Sequence, residues 1–176
     1  MQPDDSEVGP DEAAVTAAAQ RLGHHLRQLG LMVSTVESCT GGLIARALTE
    51  TAGSSAWFDR GFVTYSNAAK IEMVGVSPGT LDACGAVSEP TAREMAVGGL
   101  RNSAAAIALA VTGIAGPGGA TPGKPVGTVC FAWAHRDGRV LSQTLHLPGD
   151  RSAVRRSTAL HALAEAWLQL SDQSKD

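Results

Sequence analysis

Apolar residues recur every three or four positions near the start of the chain. Val15, Ala18, Leu22, Leu26 and Leu29 fall on one helical face, and Gly30 supplies the stop. A run rich in branched residues over 31–36 predicts a short strand. Glu37-Ser38-Cys39-Thr40-Gly41-Gly42 then reads as a tight turn, and residues 43–48 as a second helix. Residues 57–65 predict another strand. Asn67 is placed to cap a helix through Val74, with Lys70 one turn inside. Ser77-Pro78-Gly79 breaks that helix, and residues 81–84 form a short helical piece. A longer helix starts at Ser88, or at Glu89, and runs to about Leu100. Pro90 sits in its first turn, where a missing N–H is tolerated.

Residues 104–111 are almost continuously apolar, which predicts a central strand covered on both faces. The loop over residues 112–125 holds five glycines and three prolines. Residues 126–134 and 140–146 read as two strands, and Asp137-Gly138 between them is a hairpin signal. Asp150 caps a last helix with Val154, Leu163, Trp167 and Leu170 near one face. Strands interleaved with helices, plus one hairpin and no second core, predict a single-domain α/β protein. The expected form is a three-layer α/β/α sandwich with a mixed sheet. Its expected bounds are an acidic, disordered leader over residues 1–12, the domain over 13–170 and a frayed polar tail over 171–176.

The length of 176 residues suits one full core. Aromatics are only 4% while alanine and glycine are plentiful, which favours helices packed close on the sheet. A net charge of -3 gives no global field for nucleic acid, so no nucleic-acid partner is expected. Cys39, Cys84 and Cys130 are odd in number and unpaired in spacing. They read as reduced thiols of a cytoplasmic protein. No apolar run approaches the roughly 20 residues of a membrane span, and the first residues lack the pattern of a signal peptide. The histidines at 24, 25, 135, 146 and 161 show no ligand spacing with cysteines or acids. Neither a metal nor a cofactor is expected.

Ser38 lies between a strand and a helix, where a turn exposes the side chain and the helix start offers unpaired N–H groups. Gly41 and Gly42 let a substrate approach the backbone. The plain alternative is an N-cap serine or threonine. Lys70 can act as a general base only when neutral, which requires desolvation or a nearby cation. Most lysines are solvated instead. Serine–lysine pairs are an established nucleophile and base. Tyr65, the chain's single tyrosine, could donate to either or to a leaving group, or be a half-buried edge aromatic. Thr112-Gly113-Ile114-Ala115-Gly116 opens the glycine-rich loop after the most apolar strand. Its amides could bind an oxyanion or phosphate. Residues 118–124 spell G-x-x-x-x-G-K, but Pro125 stands where a P-loop needs Ser or Thr, and a strand follows instead of a helix. That reading fails, while Lys124 stays a candidate phosphate contact. Arg151, Arg155 and Arg156 could hold a phosphate or form a solvated cluster. Cys39 is a rival nucleophile or a small buried residue. Glu37 either orients the turn or caps a helix.

These segments resemble a known family, the C-terminal domain of the competence/damage-inducible protein CinA. The matching stretches are T-V-E-S-C-T-G-G-L-I-A, F-V-T-Y-S-N-A-A-K, G-A-V-S-E-P-T-A-R-E-M, A-V-T-G-I-A-G-P-G-G, K-P-V-G-T-V and P-G-D-R, in the family's order. The resemblance implies hydrolysis of nicotinamide mononucleotide to nicotinic acid mononucleotide and ammonia. It implies Ser38 as nucleophile, Lys70 as base and Tyr65 assisting. Cys39, Thr40, Gly41, Gly42, Thr112, Gly113, Ile114, Ala115, Gly116, Lys124 and Arg151 are the expected substrate contacts. The chain is similar to the stand-alone form, without the larger N-terminal domain of CinA proper. A homo-oligomer is expected from the resemblance alone. Two other readings stand beside it. One is a non-catalytic module serving DNA uptake or damage response. The other is an amidase of a different small amide.

Overall fold

In the computed structural model, which describes residues 9–172, five strands form one mixed sheet in the order β2-β1-β3-β4-β5. The strands are β1 (Val33–Glu37), β2 (Phe58–Val63), β3 (Ile107–Gly113), β4 (Thr128–His135) and β5 (Val140–His146). The helices are α1 (Glu12–Leu29), α2 (Leu43–Thr49), α3 (Asn67–Val74), α4 (Pro78–Cys84), α5 (Glu89–Arg101) and α6 (Arg151–Asp172). A 3-10 turn spans Ser54–Ala56. β1 pairs in parallel with β2 and β3, while β3–β4 and β4–β5 are antiparallel.

Side chains alternate across the central strands and build two cores. Ile107, Leu109 and Val111 face one side with Phe131 and Trp133, under α1, α2 and α6. Ala110, Ala132 and Ala134 face the other side with Val36 and Met95 of α5, beside Val74 of α3 and Leu81 of α4. The result is the expected three-layer α/β/α sandwich. The second side is built of small residues because α5 lies very close to the sheet. A Cβ on Gly99 would stand 2.3 Å from Val36 Cγ2, and one on Gly98 would stand 1.8 Å from the carbonyl oxygen of Val74. The glycine pair therefore sets the seat of α3 as well as that of α5.

Register positions the site. Glu37 lies opposite Val63 on one side and Val111 on the other. The residues after these, Ser38, Thr64 and Thr112, thus emerge side by side at the carboxyl edge of the parallel strands. The chain leaves β1 toward β2 and leaves β3 toward β4. Between β1 and β3 the connections part, which is where open α/β sheets place their ligands.

Several expected boundaries shift. The cap of α3 is Ser66, whose Oγ accepts from the Ala69 amide at 3.0 Å, and Asn67 is already helical. The break at residues 77–79 starts α4 instead, because Pro78 fits a first helical turn. β3 runs on through Gly113, since Gly113 still pairs with Val129. The leader expected over residues 1–12 is ordered from Gly9 on. Asp11 caps α1 through the Ala14 amide, and the Pro10 carbonyl accepts from Arg156 Nε at 2.6 Å. The rest of that segment, residues 1–8, lies outside the described residues. Of the expected tail, Ser171 and Asp172 belong to α6 and residues 173–176 lie outside the described residues.

Candidate active site

Strand pairing fixes the backbone up to Ser38, whose amide donates to the Val111 carbonyl at 3.1 Å. Just before it, the Glu37 side chain is 1% exposed. Its carboxylate accepts from Thr40 Oγ1 at 2.6 Å and from the amides of Gly42, Ile44 and Ala45 at 3.0, 3.0 and 2.8 Å. The first amides of a helix have no carbonyl partner within it, and a negative charge suits that end. Glu37 therefore caps α2 and closes the turn in the same act. Gly41 and Gly42 take left-handed φ values of 58° and 97°, which a side chain would resist. From α6, Arg155 donates through Nε to the Cys39 carbonyl at 3.2 Å and through Nη2 to the Thr40 carbonyl at 2.8 Å.

Lys70 reaches the turn from α3. Its side chain is 1% exposed, its Nζ lies 3.0 Å from Ser38 Oγ, and it donates to the Thr64 carbonyl at 2.8 Å. No carboxylate pairs with it among the described residues. Burial holds the ammonium pKa below the ordinary 10.5, against a weaker opposing influence from Cys39. Burial thus shifts the balance toward the neutral amine, the form a base requires. Cys39 points its side chain into the core, and burial pushes its thiol up to about 12. A thiol that stays protonated is a poor nucleophile, so the hydroxyl is the stronger candidate.

Ser38, Cys39, Tyr65, Asn67, Lys70, Ala86, Val87, Thr112, Gly113, Ala115 and Arg151 line one cavity of about 250 Å³. Tyr65 is 60% exposed and stands at its rim. Its hydroxyl accepts from Arg151 Nη2 at 3.0 Å, and Arg151 Nη1 donates to the Gly116 carbonyl at 2.8 Å. The tyrosine hydroxyl is thus hydrogen-bonded to the arginine and not to Ser38 or Lys70.

Not all expected contacts reach this cavity. Thr40 is buried, with its hydroxyl on Glu37. Gly41 and Gly42 border a separate depression beside Arg46, Arg155 and Arg156. The Ile114 amide and carbonyl are spent on Thr128 and Gly127, which continue the hairpin. Gly116 contributes its carbonyl to Arg151 but no lining surface. Lys124 donates through Nζ to the Cys84 carbonyl at 3.0 Å, so it ties the glycine loop to the end of α4. Asn67, Ala86 and Val87 were not expected. Asn67 had a plainer reading as a cap, and Ala86-Val87 carry no local signal. Thr112 Oγ1 draws them in by donating to the Ala86 carbonyl at 2.8 Å.

The family model of the CinA C-terminal domain matches residues 15–169. The nicotinamide-nucleotide amidohydrolase PncC of Enterobacter agglomerans is 56% identical over 145 residues, covering 82% of this chain and 88% of that protein. The protein of the same name from Escherichia coli strain K12 is 50% identical over 151 residues, covering 86% and 92%. The crystal structure of competence/damage inducible protein CihA from Agrobacterium tumefaciens superposes with a TM-score of 0.86 at 51% identity, covering 93% of this chain and 98% of that one. Matched in sequence across nearly all of its described length and in fold throughout, the chain belongs to the CinA C-terminal domain family.

Proposed function

We propose that the chain hydrolyses the carboxamide of nicotinamide mononucleotide to nicotinic acid mononucleotide and ammonia, a step of pyridine-nucleotide salvage. The observation that carries this reading is the 3.0 Å contact between Ser38 Oγ and a buried Lys70 Nζ, which meets no carboxylate among the described residues, at the floor of the cavity. The PncC relatives supply the substrate.

The parts divide the work. The Thr64 carbonyl takes one N–H of Lys70 and leaves the amine lone pair for the Ser38 proton. A carbonyl orients the amine without the charge that would keep it protonated. Ser38 Oγ attacks the carboxamide carbon, which the cationic pyridinium ring makes electron-poor. Lys70 returns the proton to the leaving nitrogen, and ammonia departs from an acyl-enzyme. Water then enters, Lys70 takes its proton as the oxygen attacks the acyl carbon, and Lys70 gives that proton to Ser38 Oγ as the ester breaks. Arg151 at the rim is the proposed phosphate contact, and Tyr65 holds it there.

The test is ammonia and nicotinic acid mononucleotide release from nicotinamide mononucleotide by the native chain beside Ser38→Ala. Turnover by the native chain, reduced at least about 1,000-fold in the variant, is expected. A fully active Ser38→Ala removes the mechanism. A native chain that turns over a different amide removes the substrate. The proposal includes a cytoplasmic homo-oligomer, and light scattering at working concentration reads its mass.

A further inference from the structure

A nucleotide whose amide reaches Ser38 leaves its sugar nearer the mouth of the cavity, and a sugar is held by hydrogen bonds to its hydroxyls. Most polar side chains on the lining have other work. Ser38 and Lys70 face each other at 3.0 Å. Thr112 Oγ1 gives its proton to the Ala86 carbonyl at 2.8 Å. Arg151 divides between the Tyr65 hydroxyl and the Gly116 carbonyl, at 3.0 and 2.8 Å. Cys39 turns to the core. Ala86, Val87 and Ala115 are apolar and suit a flat ring.

Asn67 is left over. It lines the same cavity, it is exposed, and its side-chain amide meets no partner among the described residues. The helix does not need it as a cap, because Ser66 already accepts from the Ala69 amide. Asn67 precedes Lys70 by three positions on α3. That spacing puts two side chains on one face, with Cβ atoms about 5–6 Å apart. Lys70 is buried and reaches Ser38, so Asn67 stands beside the reacting pair and nearer to solvent.

A carboxamide carries its donor and its acceptor on separate atoms, Nδ2 and Oδ1. A vicinal diol presents the matching pair, since one hydroxyl accepts from Nδ2 while the other donates to Oδ1. No other side chain on the lining offers both on two atoms. The hydroxyls of Ser38, Tyr65 and Thr112 are single atoms, and Lys70 and Arg151 carry nitrogen alone.

We propose that Asn67 reads the ribose of the substrate, holding its 2′- and 3′-hydroxyls on Nδ2 and Oδ1. The ring then lies against Ala86 and Val87, the phosphate reaches Arg151, and the diol between them meets Asn67. Asn67 is thus a specificity-determining residue that selects a ribonucleotide amide and takes no part in the chemical step. The inference rests on nicotinamide mononucleotide being the substrate.

The test compares ammonia release from nicotinamide mononucleotide and from its 2′-deoxy analogue, by the native chain and by Asn67→Ala. A third readout is the rate at which a fluorophosphonate probe, which has no sugar, labels Ser38. The native chain is expected to favour the ribonucleotide about fivefold in kcat/KM, because the analogue leaves one arm of Asn67 unpaired. Asn67→Ala raises KM for the mononucleotide about tenfold, the worth of two neutral hydrogen bonds at an open site, with kcat within about twofold. The two substrates then come within about twofold of each other, and labelling stays at the native rate. A native chain that turns over both nucleotides equally well overturns this inference alone. So does an Asn67→Ala variant that keeps the native KM or the native preference. Slow labelling of the variant also overturns it, by showing that Asn67 serves α3 and its lysine instead of the sugar. A native chain labelled at Ser38 but inert toward both nucleotides overturns the substrate reading, and this inference with it.

Discussion

Lys70 concentrates the conflict between folding and chemistry in one side chain. A lysine amine is the base only when neutral, and burial favours that form. Activity must then rise with pH as Lys70 loses its proton, at a pH below the ordinary lysine range. A kcat/KM profile that stays flat from pH 6 to 10 would remove Lys70 as base. The sign for stability follows from proton counts. Between the folded and the unfolded pKa, the unfolded chain holds a proton that the folded chain lacks, so stability gains with rising pH. Lys70→Met, similar in length and never charged, lacks that gain. The melting temperature of the native chain is expected to climb relative to Lys70→Met as pH rises toward 10. A constant difference would show that Lys70 is charged in the fold. Cys39 gives the complementary case. With its thiol pushed up to about 12, it should resist iodoacetamide at pH 8, and Cys39→Ala should keep kcat within about threefold. Loss of activity on alkylation of the native chain would reinstate the thiol. The sequence named Ser38, Lys70 and Cys39, and the family resemblance put serine first, but the physical ground for that order was not in the sequence. That ranking depends on which side chain faces the core, and it becomes visible only once α6 and α2 close over the turn.

Helices and strands were legible wherever one period dominated. α1, α5 and α6 announce themselves by apolar spacing and caps, and β3 by its unbroken apolar run. The misses share a cause. α4 begins at a Ser-Pro-Gly signal that reads equally as an end. β3 outlasts its apolar run because Gly113 is carried by the ladder to Val129, a partner sixteen positions on. Gly98 and Gly99 in the middle of a helix carry a local cost. Their benefit lies in contacts with α3 and β1 that no local pattern records. Those contacts give the element-scale prediction. A methyl at Gly98 would stand 1.8 Å from the Val74 carbonyl, which is backbone and can move only with α3. Gly98→Ala is expected to destabilise the fold by about 1–3 kcal/mol. It should also lower kcat, because α3 carries Lys70. Urea denaturation and steady-state rates on one preparation read both. Full activity together with lost stability would show that α3 reseats without shifting its lysine.

The cavity is a property of the whole chain. Its floor comes from β1 and α3, one wall from the end of β3, another from the α4–α5 connection, and its rim from α6. The sequence motifs mark most of these pieces. They could not say which polar groups face the cavity, because that depends on which partners each group has already found. Lys124 and Arg151 looked alike as phosphate contacts. The fold spends Lys124 on the Cys84 carbonyl and leaves Arg151 at the rim, exposed, between Tyr65 and Gly116. Two roles are open to an arginine so placed, and one comparison divides them. If it binds the phosphate, Arg151→Ala should raise KM for nicotinamide mononucleotide about 10- to 100-fold, the worth of one charge-assisted contact. It should leave turnover of nicotinamide riboside, which lacks the phosphate, nearly unchanged. If it serves only to hold Tyr65 and the glycine loop together, both substrates should suffer alike. The native chain's own preference for the mononucleotide over the riboside should then survive the substitution undiminished, and the phosphate contact would have to come from elsewhere on the rim.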